Sequence, residues 1–221
     1  MPEPVRIALI HATPAAIQPI ADAFRRLWPE PLLANLLDDS LSRDLAQSKR
    51  LDERFDRRFA DLMDYSIGNG ADGILFTCSA FGSCIEKARA ATDKPVLKPN
   101  EAMIDAALEM GGRIGLVASF GPSIPSMVEE FHEAAAARGR KIAVETALAD
   151  GAMGVLLGGD PDRHDDMVAA AAATLPPVDV VALAQFSMAS ASEKVAAATG
   201  RPVLTTPDSA VERLRTLFAR G

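Results

Sequence analysis

One cysteine stands where a thiol could carry out acid–base chemistry. Cys78 follows the predicted strand Gly73–Thr77 and precedes a short turn, SAFG, that leads into a predicted helix. Unpaired backbone N–H groups and the helix dipole favour negative charge at such a point, so we expect a lowered thiol pKa. A thiolate held there could act as a base or a nucleophile. The alternative is an inert buried side chain, which is common for free cysteines.

The stretch around Cys78 recurs near the C-terminus. DGILFTCSAFGSCIEKARAATDKPVLKPNE begins at Asp72, and DVVALAQFSMASASEKVAAATGRPVLTTPD begins at Asp179, so the offset is 107, the difference between 179 and 72. The two strings align without a gap and pair Cys78 with Gln185. Self-similarity at a fixed offset predicts two copies of a βαβ-type unit.

Strands and helices are predicted to alternate along both copies. Val5–His11 has the composition of a buried parallel strand, and Thr13 and Pro14 are predicted to start the first helix. A long helical region is predicted from about residue 41 to residue 67. This alternation predicts an α/β fold with a mostly parallel sheet in each half. Ligands of such sheets bind beyond the carboxyl ends of the strands. The polar residues predicted at those ends are His11, Asp38, Cys78, Ser119 and Gln185.

Length and composition favour two domains. The chain has 221 residues, of which 48% are hydrophobic and 5% aromatic, which is enough apolar material for two cores of about 100 residues each. We predict that residues 1–98 and 206–221 form the first domain and that residues 99–205 form the second.

Several classes of protein are disfavoured. A net charge of −7 argues against a nucleic-acid surface, which needs a basic stripe. The sequence has neither a long apolar run nor a signal-peptide pattern, so we predict a cytoplasmic protein without a membrane segment. The spacing of Cys78 and Cys84 fits neither a disulfide framework nor zinc, and Cys84 is predicted to be structural. The stretch around His164 is explained as a helix start, and no glycine-rich stretch has a dinucleotide fingerprint. We therefore expect no metal and no cofactor.

Four features together resemble the aspartate/glutamate/hydantoin racemase superfamily: FTCSAFG after a strand, the repeated half, the ASFGPS turn and the VLKPNEA crossing. The resemblance covers nearly the entire chain. It implies two pseudo-symmetric α/β domains, each a mostly parallel sheet flanked by helices, with one cofactor-free active site in the cleft between them. Superfamily members act on carbons next to carboxylates or carbonyls, as racemases, cis–trans isomerases or arylmalonate-type decarboxylases.

The resemblance also implies roles for the two aligned positions. Racemases of the superfamily usually place one cysteine from each half on opposite faces of the substrate. Cys78 matches the first of these cysteines, whereas Gln185 stands at the position of the second. A carboxamide neither gives nor takes a proton near pH 7, so a symmetric two-thiol racemase is not supported. Gln185 could still orient a carboxylate or hold a water molecule.

The resemblance further implies that hydroxyls and backbone N–H groups at helix N-termini bind the substrate carboxylate. Each such hydroxyl alone is better explained as a cap or turn residue, whereas together, at equivalent strand ends of both halves, they support a small anionic ligand. His11 is a ligand contact, a second proton carrier or a packing residue. The predicted substrate-binding residues are His11, Thr13, Thr77, Ser79, Asn100, Ser119, Ser123, Phe186 and Ser187.

Our leading hypothesis is a cofactor-independent racemase or isomerase acting at the carbon α to a carboxylate, in an amino acid or related small acid, with Cys78 as thiolate base or nucleophile. The first alternative is an arylmalonate-type decarboxylase, which needs only one proton donor and therefore one cysteine. The second is a small-acid binding protein without turnover. The predicted partner is a small carboxylate, with no nucleic acid and no membrane, and a homo-oligomer is compatible with the sequence.

Overall fold

The computed structural model describes residues 4–219 and divides into two compact units. The first unit contains the described residues up to Pro99 and those from Ala210 onward, and the second unit is Asn100–Ser209. The boundary between Ser209 and Ala210 lies inside the last helix, Thr206–Ala219. The boundary predicted from the sequence, between residues 205 and 206, lies at the start of that helix.

The first unit is built on a parallel four-stranded sheet in the order β2-β1-β3-β4. Its strands are β1 (Arg6–His11), β2 (Leu32–Leu37), β3 (Gly73–Phe76) and β4 (Val96–Leu97). Its helices up to Pro99 are α1 (Ile17–Leu27), α2 (Ser40–Ser48), α3 (Glu53–Gly68) and α4 (Gly82–Arg89). Two short 3₁₀ turns, Pro14–Ala16 and Ser79–Phe81, precede α1 and α4.

The second unit has the same architecture, with a parallel sheet in the order β6-β5-β7-β8. Its strands are β5 (Arg113–Ala118), β6 (Ala143–Leu148), β7 (Val180–Leu183) and β8 (Val203–Thr205). Its helices are α5 (Glu101–Met110), α6 (Ile124–Ala137), α7 (Ala152–Leu157), α8 (Pro161–Ala172) and α9 (Ser192–Thr199), and α10 (Thr206–Ala219) begins in it. The 3₁₀ turns Gly121–Ser123 and Phe186–Ala191 precede α6 and α9. The predicted α/β fold with two mostly parallel, helix-flanked sheets is therefore confirmed.

The strand registers of the two units repeat at the offset read from the sequence. Ile7 of β1 is opposite Gly73, and Ile114 of β5 is opposite Val180. A carboxylate before the third strand of each unit fixes this pairing: the Arg6 N–H donates to Asp72 at 2.8 Å. The Arg113 N–H donates to Asp179 in the same way, at 2.9 Å.

The predicted helical region over residues 41–67 is formed by two helices with a break between them. The helix α2 ends at Ser48, and Lys49 follows it in the left-handed conformation with φ of 55°. Asp52 then caps α3, since its side chain accepts a hydrogen bond from the Arg54 N–H at 3.0 Å. An aspartate at an N-cap competes well with continued helix, so the chain restarts there.

An aromatic cluster supports the turn that carries Cys78. The rings of Phe76 and Phe81, on either side of that turn, both pack on Phe59 of α3, with centroids 5.2 and 4.9 Å apart. Phe55, one turn earlier in α3, packs on Phe81 at 5.7 Å. All four side chains are buried, and full burial of a phenylalanine stabilises by about 1.5–3 kcal/mol. The backbone around Cys78 is thus anchored from both sides.

The last helix, α10, packs on the first unit. The Phe218 ring lies 5.9 Å from the Trp28 ring, and Arg215 donates to the carbonyl of Leu27 at 3.2 Å. Gly73 permits this approach, because a Cβ there would lie 2.9 Å from Phe218. Within residues 4–219, none of the helices is both long and apolar enough to cross a membrane.

Candidate active site

Cys78 lies where the sequence predicted it, between the end of β3 and the helix α4. It has extended backbone angles and is followed by the 3₁₀ turn Ser79–Phe81, so that α4 proper begins only at Gly82. The Cys78 side chain is half-buried and packs against the core of the first unit. The strand end thus presents a single thiol on an anchored backbone.

The expected lowering of the Cys78 pKa is wrong. Burial raises the pKa of this thiol above its ordinary value, and a hydrogen bond from the Ala80 N–H opposes the increase only in part. The reason is local: a single 3₁₀ turn stands between Cys78 and α4, and desolvation disfavours the charged form. Cys78 therefore carries its proton at neutral pH.

His11 is the last residue of β1 and is completely buried. It lies next to Thr77, the residue before Cys78. Its Nδ1 lies 2.8 Å from the Thr77 hydroxyl, and its Nε2 lies 3.0 Å from Oδ1 of Asn35 on β2. Burial lowers the pKa of His11, opposed by the Asn35 hydrogen bond, so the ring is neutral. A neutral ring has one donor and one acceptor, which fits Nε2–H donating to Asn35 and Thr77 donating to Nδ1. Both ring nitrogens are thus occupied within the unit.

Three other polar residues at this sheet edge have structural partners or are exposed. Thr13 caps the first 3₁₀ turn by accepting from the Ala15 N–H at 3.4 Å, and Ser79 is exposed. Asp38, after β2, pairs with Arg58 of α3. Arg58 also pairs with Asp44 of α2 at 2.6 Å, so this cluster holds α2 and α3 against the sheet edge.

Gln185 occupies the equivalent position in the second unit, after β7, and its side chain is bound by two serines. Its Oε1 accepts from the Ser119 N–H at 2.8 Å and from the Ser119 hydroxyl at 3.3 Å. Its Nε2 donates to the Ser123 hydroxyl at 2.8 Å, and that hydroxyl donates to the Phe120 carbonyl at 2.7 Å. A backbone N–H must face an acceptor, which fixes the orientation of the amide. We call Gln185, Ser119 and Ser123 the amide clamp.

The first unit lacks the partners of the amide clamp. At the offset of 107, Ser119 corresponds to Ala12 and Ser123 corresponds to Ala16. The side chains of Ala12 and Ala16 cannot make at Cys78 the hydrogen bonds that the two serines make at Gln185. The exchange of thiol for amide thus goes together with two exchanges of alanine for serine.

The remaining predicted residues of the second unit are not joined to the clamp by hydrogen bonds. Asn100, which precedes α5, is buried, and its Nδ2 donates to Glu130 of α6 at 3.4 Å. Phe186 is buried next to Gln185, and Ser187 is half-buried.

The other cysteine has a structural environment. Cys84 lies inside α4 and is fully buried. Burial, together with a hydrogen bond and charge interaction with Asp56, raises its pKa to about 11. Cys84 therefore stays protonated, in keeping with its predicted structural role.

The sequence matches the family model described as Asp/Glu/Hydantoin racemase over residues 7–214. The chain belongs to the Asp/Glu/hydantoin racemase family. No curated protein matches the chain.

Solved structures with the same fold include members of this family with different reactions. Glutamate racemase isoform RacE1 from Bacillus anthracis superimposes with a TM-score of 0.72 at 14% identity, covering 98% of this chain and 82% of that one. For allantoin racemase from Klebsiella pneumoniae the TM-score is 0.69 at 17% identity, with 98% and 89% covered. Unliganded arylmalonate decarboxylase gives 0.66 at 17% identity, with 96% and 92% covered. At such identities the likeness is one of fold.

Sequence reasoning missed two features of this member of the racemase family. Asn35 was not predicted as the partner of His11, although it is the only polar residue in LLANLL, the sequence of β2. Ser119 and Ser123 were predicted to bind substrate, whereas their hydroxyls bond to Gln185 and Phe120. The signal for the clamp was the alignment of the two halves, in which Ala12, Ala16 and Cys78 change together.

Proposed function

We propose that this chain is a cofactor-independent enzyme of the racemase and isomerase type that acts at the carbon α to a carboxylate, in an amino acid or related small acid. Cys78 is its acid–base group. One observation carries the proposal: of the two aligned strand-end positions, the first holds a thiol and the second a carboxamide that cannot exchange a proton. The neighbouring His11 already uses both ring nitrogens.

Chemistry at this carbon requires a carbanion whose charge spreads onto the carboxylate as an enolate. Cys78 removes the α-proton or returns it on one face, and hydroxyl or backbone donors stabilise the enolate oxygen. The hydroxyls of Ser79 and Ser187 suit this role, because neither hydroxyl makes a hydrogen bond to another described residue and neither side chain is buried. If the product is racemic, water returns the proton on the opposite face, because Gln185 has no proton to give.

Decarboxylation is a second candidate, and the Cys78 environment specifically supports it. Loss of carbon dioxide generates the carbanion without a base, so one proton donor completes the reaction. A thiol that burial keeps protonated at neutral pH is suited to that donor role. The single thiol would then deliver its proton to one face only and give one enantiomer.

The pH dependence of kcat distinguishes these two reactions. If Cys78 must lose its proton to act as a base, kcat rises with pH until the raised thiol pKa is passed. If Cys78 donates its proton after decarboxylation, kcat is full at neutral pH and falls as the pH rises through that pKa. The Cys78→Ala variant should abolish either profile.

A substrate screen in deuterated buffer tests the proposal as a whole. NMR would follow α-proton exchange and carbon dioxide loss for α-substituted monocarboxylates and dicarboxylates, including malonates. Exchange without carbon dioxide loss supports the isomerase, and loss with stereospecific deuterium uptake supports the decarboxylase. Ligand-induced thermal stabilisation with neither reaction would contradict the proposal and indicate a binding protein.

A further inference from the structure

Among residues 4–219, the amide clamp leaves one N–H of the Gln185 amide without an acceptor. Gln185 Nε2 carries two hydrogens, and one of them is used by the Ser123 hydroxyl. Its Oε1 accepts twice from Ser119. Because Gln185 is half-buried and its amide is fixed, the second N–H has a defined direction.

Two large apolar side chains lie exposed at the same end of the sheet. Phe120, directly after Ser119, is 53% exposed, and Leu148, the last residue of β6, is 42% exposed. Leu148 is opposite Ala118 in the register of β5 and β6. It lies over the turn, since a Cβ on Gly121 would be 3.4 Å from its Cδ2. We call Phe120 and Leu148 the apolar rim.

Cationic side chains are missing from the segments that follow the four strands of the second unit. Residues 118–123, 149–151, 184–192 and 206–209 contain no lysine, arginine or histidine, and their charged residues are Asp150 and Asp208. A second carboxylate held here would lose water without gaining a cation, which is costly. An aryl or branched alkyl group would instead gain by covering Phe120 and Leu148.

We infer that the second unit selects small acids whose α-substituent is aryl or branched alkyl, with the apolar rim binding the substituent and the Gln185 N–H binding a carboxylate or carbonyl oxygen. This inference rests on the proposed function and specifies its substrate class. It separates such acids from aspartate-like and glutamate-like diacids, whose second carboxylate has no counterpart at the rim.

Phe120→Ala and Leu148→Ala test the rim, and Leu157→Ala is the matched control. Leu157 is an exposed leucine of α7, 74% exposed, outside the two segments of the clamp. With phenylmalonate and phenylglycine, each rim variant should lower kcat/KM about tenfold, the effect of losing one good apolar contact. Turnover of aspartate should be poor throughout and unchanged by the variants. A preference for aspartate, or equal losses on both substrate types, would overturn the inference.

A binding measurement keeps the inference testable if no substrate is turned over. In Cys78→Ala protein, phenylacetate should raise the melting temperature more than succinate does. Phe120→Ala should remove the difference, and Leu157→Ala should keep it. If the wild-type protein turns over no substrate, this pattern of stabilisation would support binding at the apolar rim and contradict the proposed chemistry. Equal stabilisation by both acids, or none by phenylacetate, would contradict the rim itself.

Discussion

Replacing Gln185 with leucine tests whether the amide clamp holds the second unit together. The substitution nearly keeps the side-chain volume and removes the amide's acceptor and donor. Two of its three hydrogen bonds are 2.8 Å long, and the one from the Ser119 hydroxyl is longer, at 3.3 Å. Each good bond contributes about 1 kcal/mol, and an N–H left unpaired costs about 1–3 kcal/mol. Because water can reach a half-buried site, we expect a loss of about 2–3 kcal/mol in the free energy of unfolding.

The assay must report on the second unit. The chain's single tryptophan, Trp28, is in the first unit, so its fluorescence is a poor probe of the clamp. Amide hydrogen exchange of β5 and β7 under native conditions measures the opening free energy where the clamp acts. Ser187→Ala is the control and should change it by less than about 0.5 kcal/mol.

A double-mutant cycle isolates the central bond of the clamp. Gln185→Leu, Ser123→Ala and the double variant should give a coupling energy of about 0.5–1.5 kcal/mol, since the two side chains bond directly. A coupling energy near zero, or a loss below about 0.5 kcal/mol for Gln185→Leu alone, would refute the reasoning.

Three further predictions concern the first unit. In a Cys84→Ala background, alkylation of Cys78 by iodoacetamide should be half-maximal above pH 9, the ordinary value for the thiol, and a midpoint clearly below it would contradict the burial argument. The pKa of His11 in the folded state is lowered from 6.5, so below pH 6.5 the unfolded state binds more protons than the folded state. Urea denaturation should therefore show that the free energy of unfolding decreases as the pH is lowered below 6.5, and the same slope in His11→Gln would exclude His11 as its source. Lys49→Gly should raise the free energy of unfolding by up to about 1 kcal/mol, because glycine adopts a φ of 55° without strain, and a decrease would argue against that conformation.

The internal repeat made most of the fold predictable. The central strands of a parallel sheet are buried on both faces, so runs such as RIALIH and RIGLVA stand out. The offset of 107 then transfers the topology of one half to the other. The break between α2 and α3 was missed because residues 41–67 keep a helical composition throughout. It depends on the left-handed Lys49 and the cap of Asp52, which composition alone does not reveal.

Position at the candidate site was more predictable than chemistry. Cys78 and Gln185 follow β3 and β7 as the alignment required, because the two units repeat the strand register at the same offset as the sequence. The pKa of Cys78 depends on how deeply its sulfur is buried and on how few N–H groups face it, and both are properties of packing. The partners of His11 and Gln185 come from other strands and turns, so spacing along the chain gave no access to them.

The most direct test of the account is α-proton exchange in deuterated buffer, measured by NMR on the best substrate from the screen, for wild type, Cys78→Ala and Cys84→Ala. For a decarboxylated substrate the readout is deuterium uptake into the product. Removing the acid–base group should slow the reaction by about 10²–10⁴-fold in Cys78→Ala, whereas Cys84→Ala should keep the wild-type rate. Unchanged exchange in Cys78→Ala would contradict the central claim that Cys78 carries the proton.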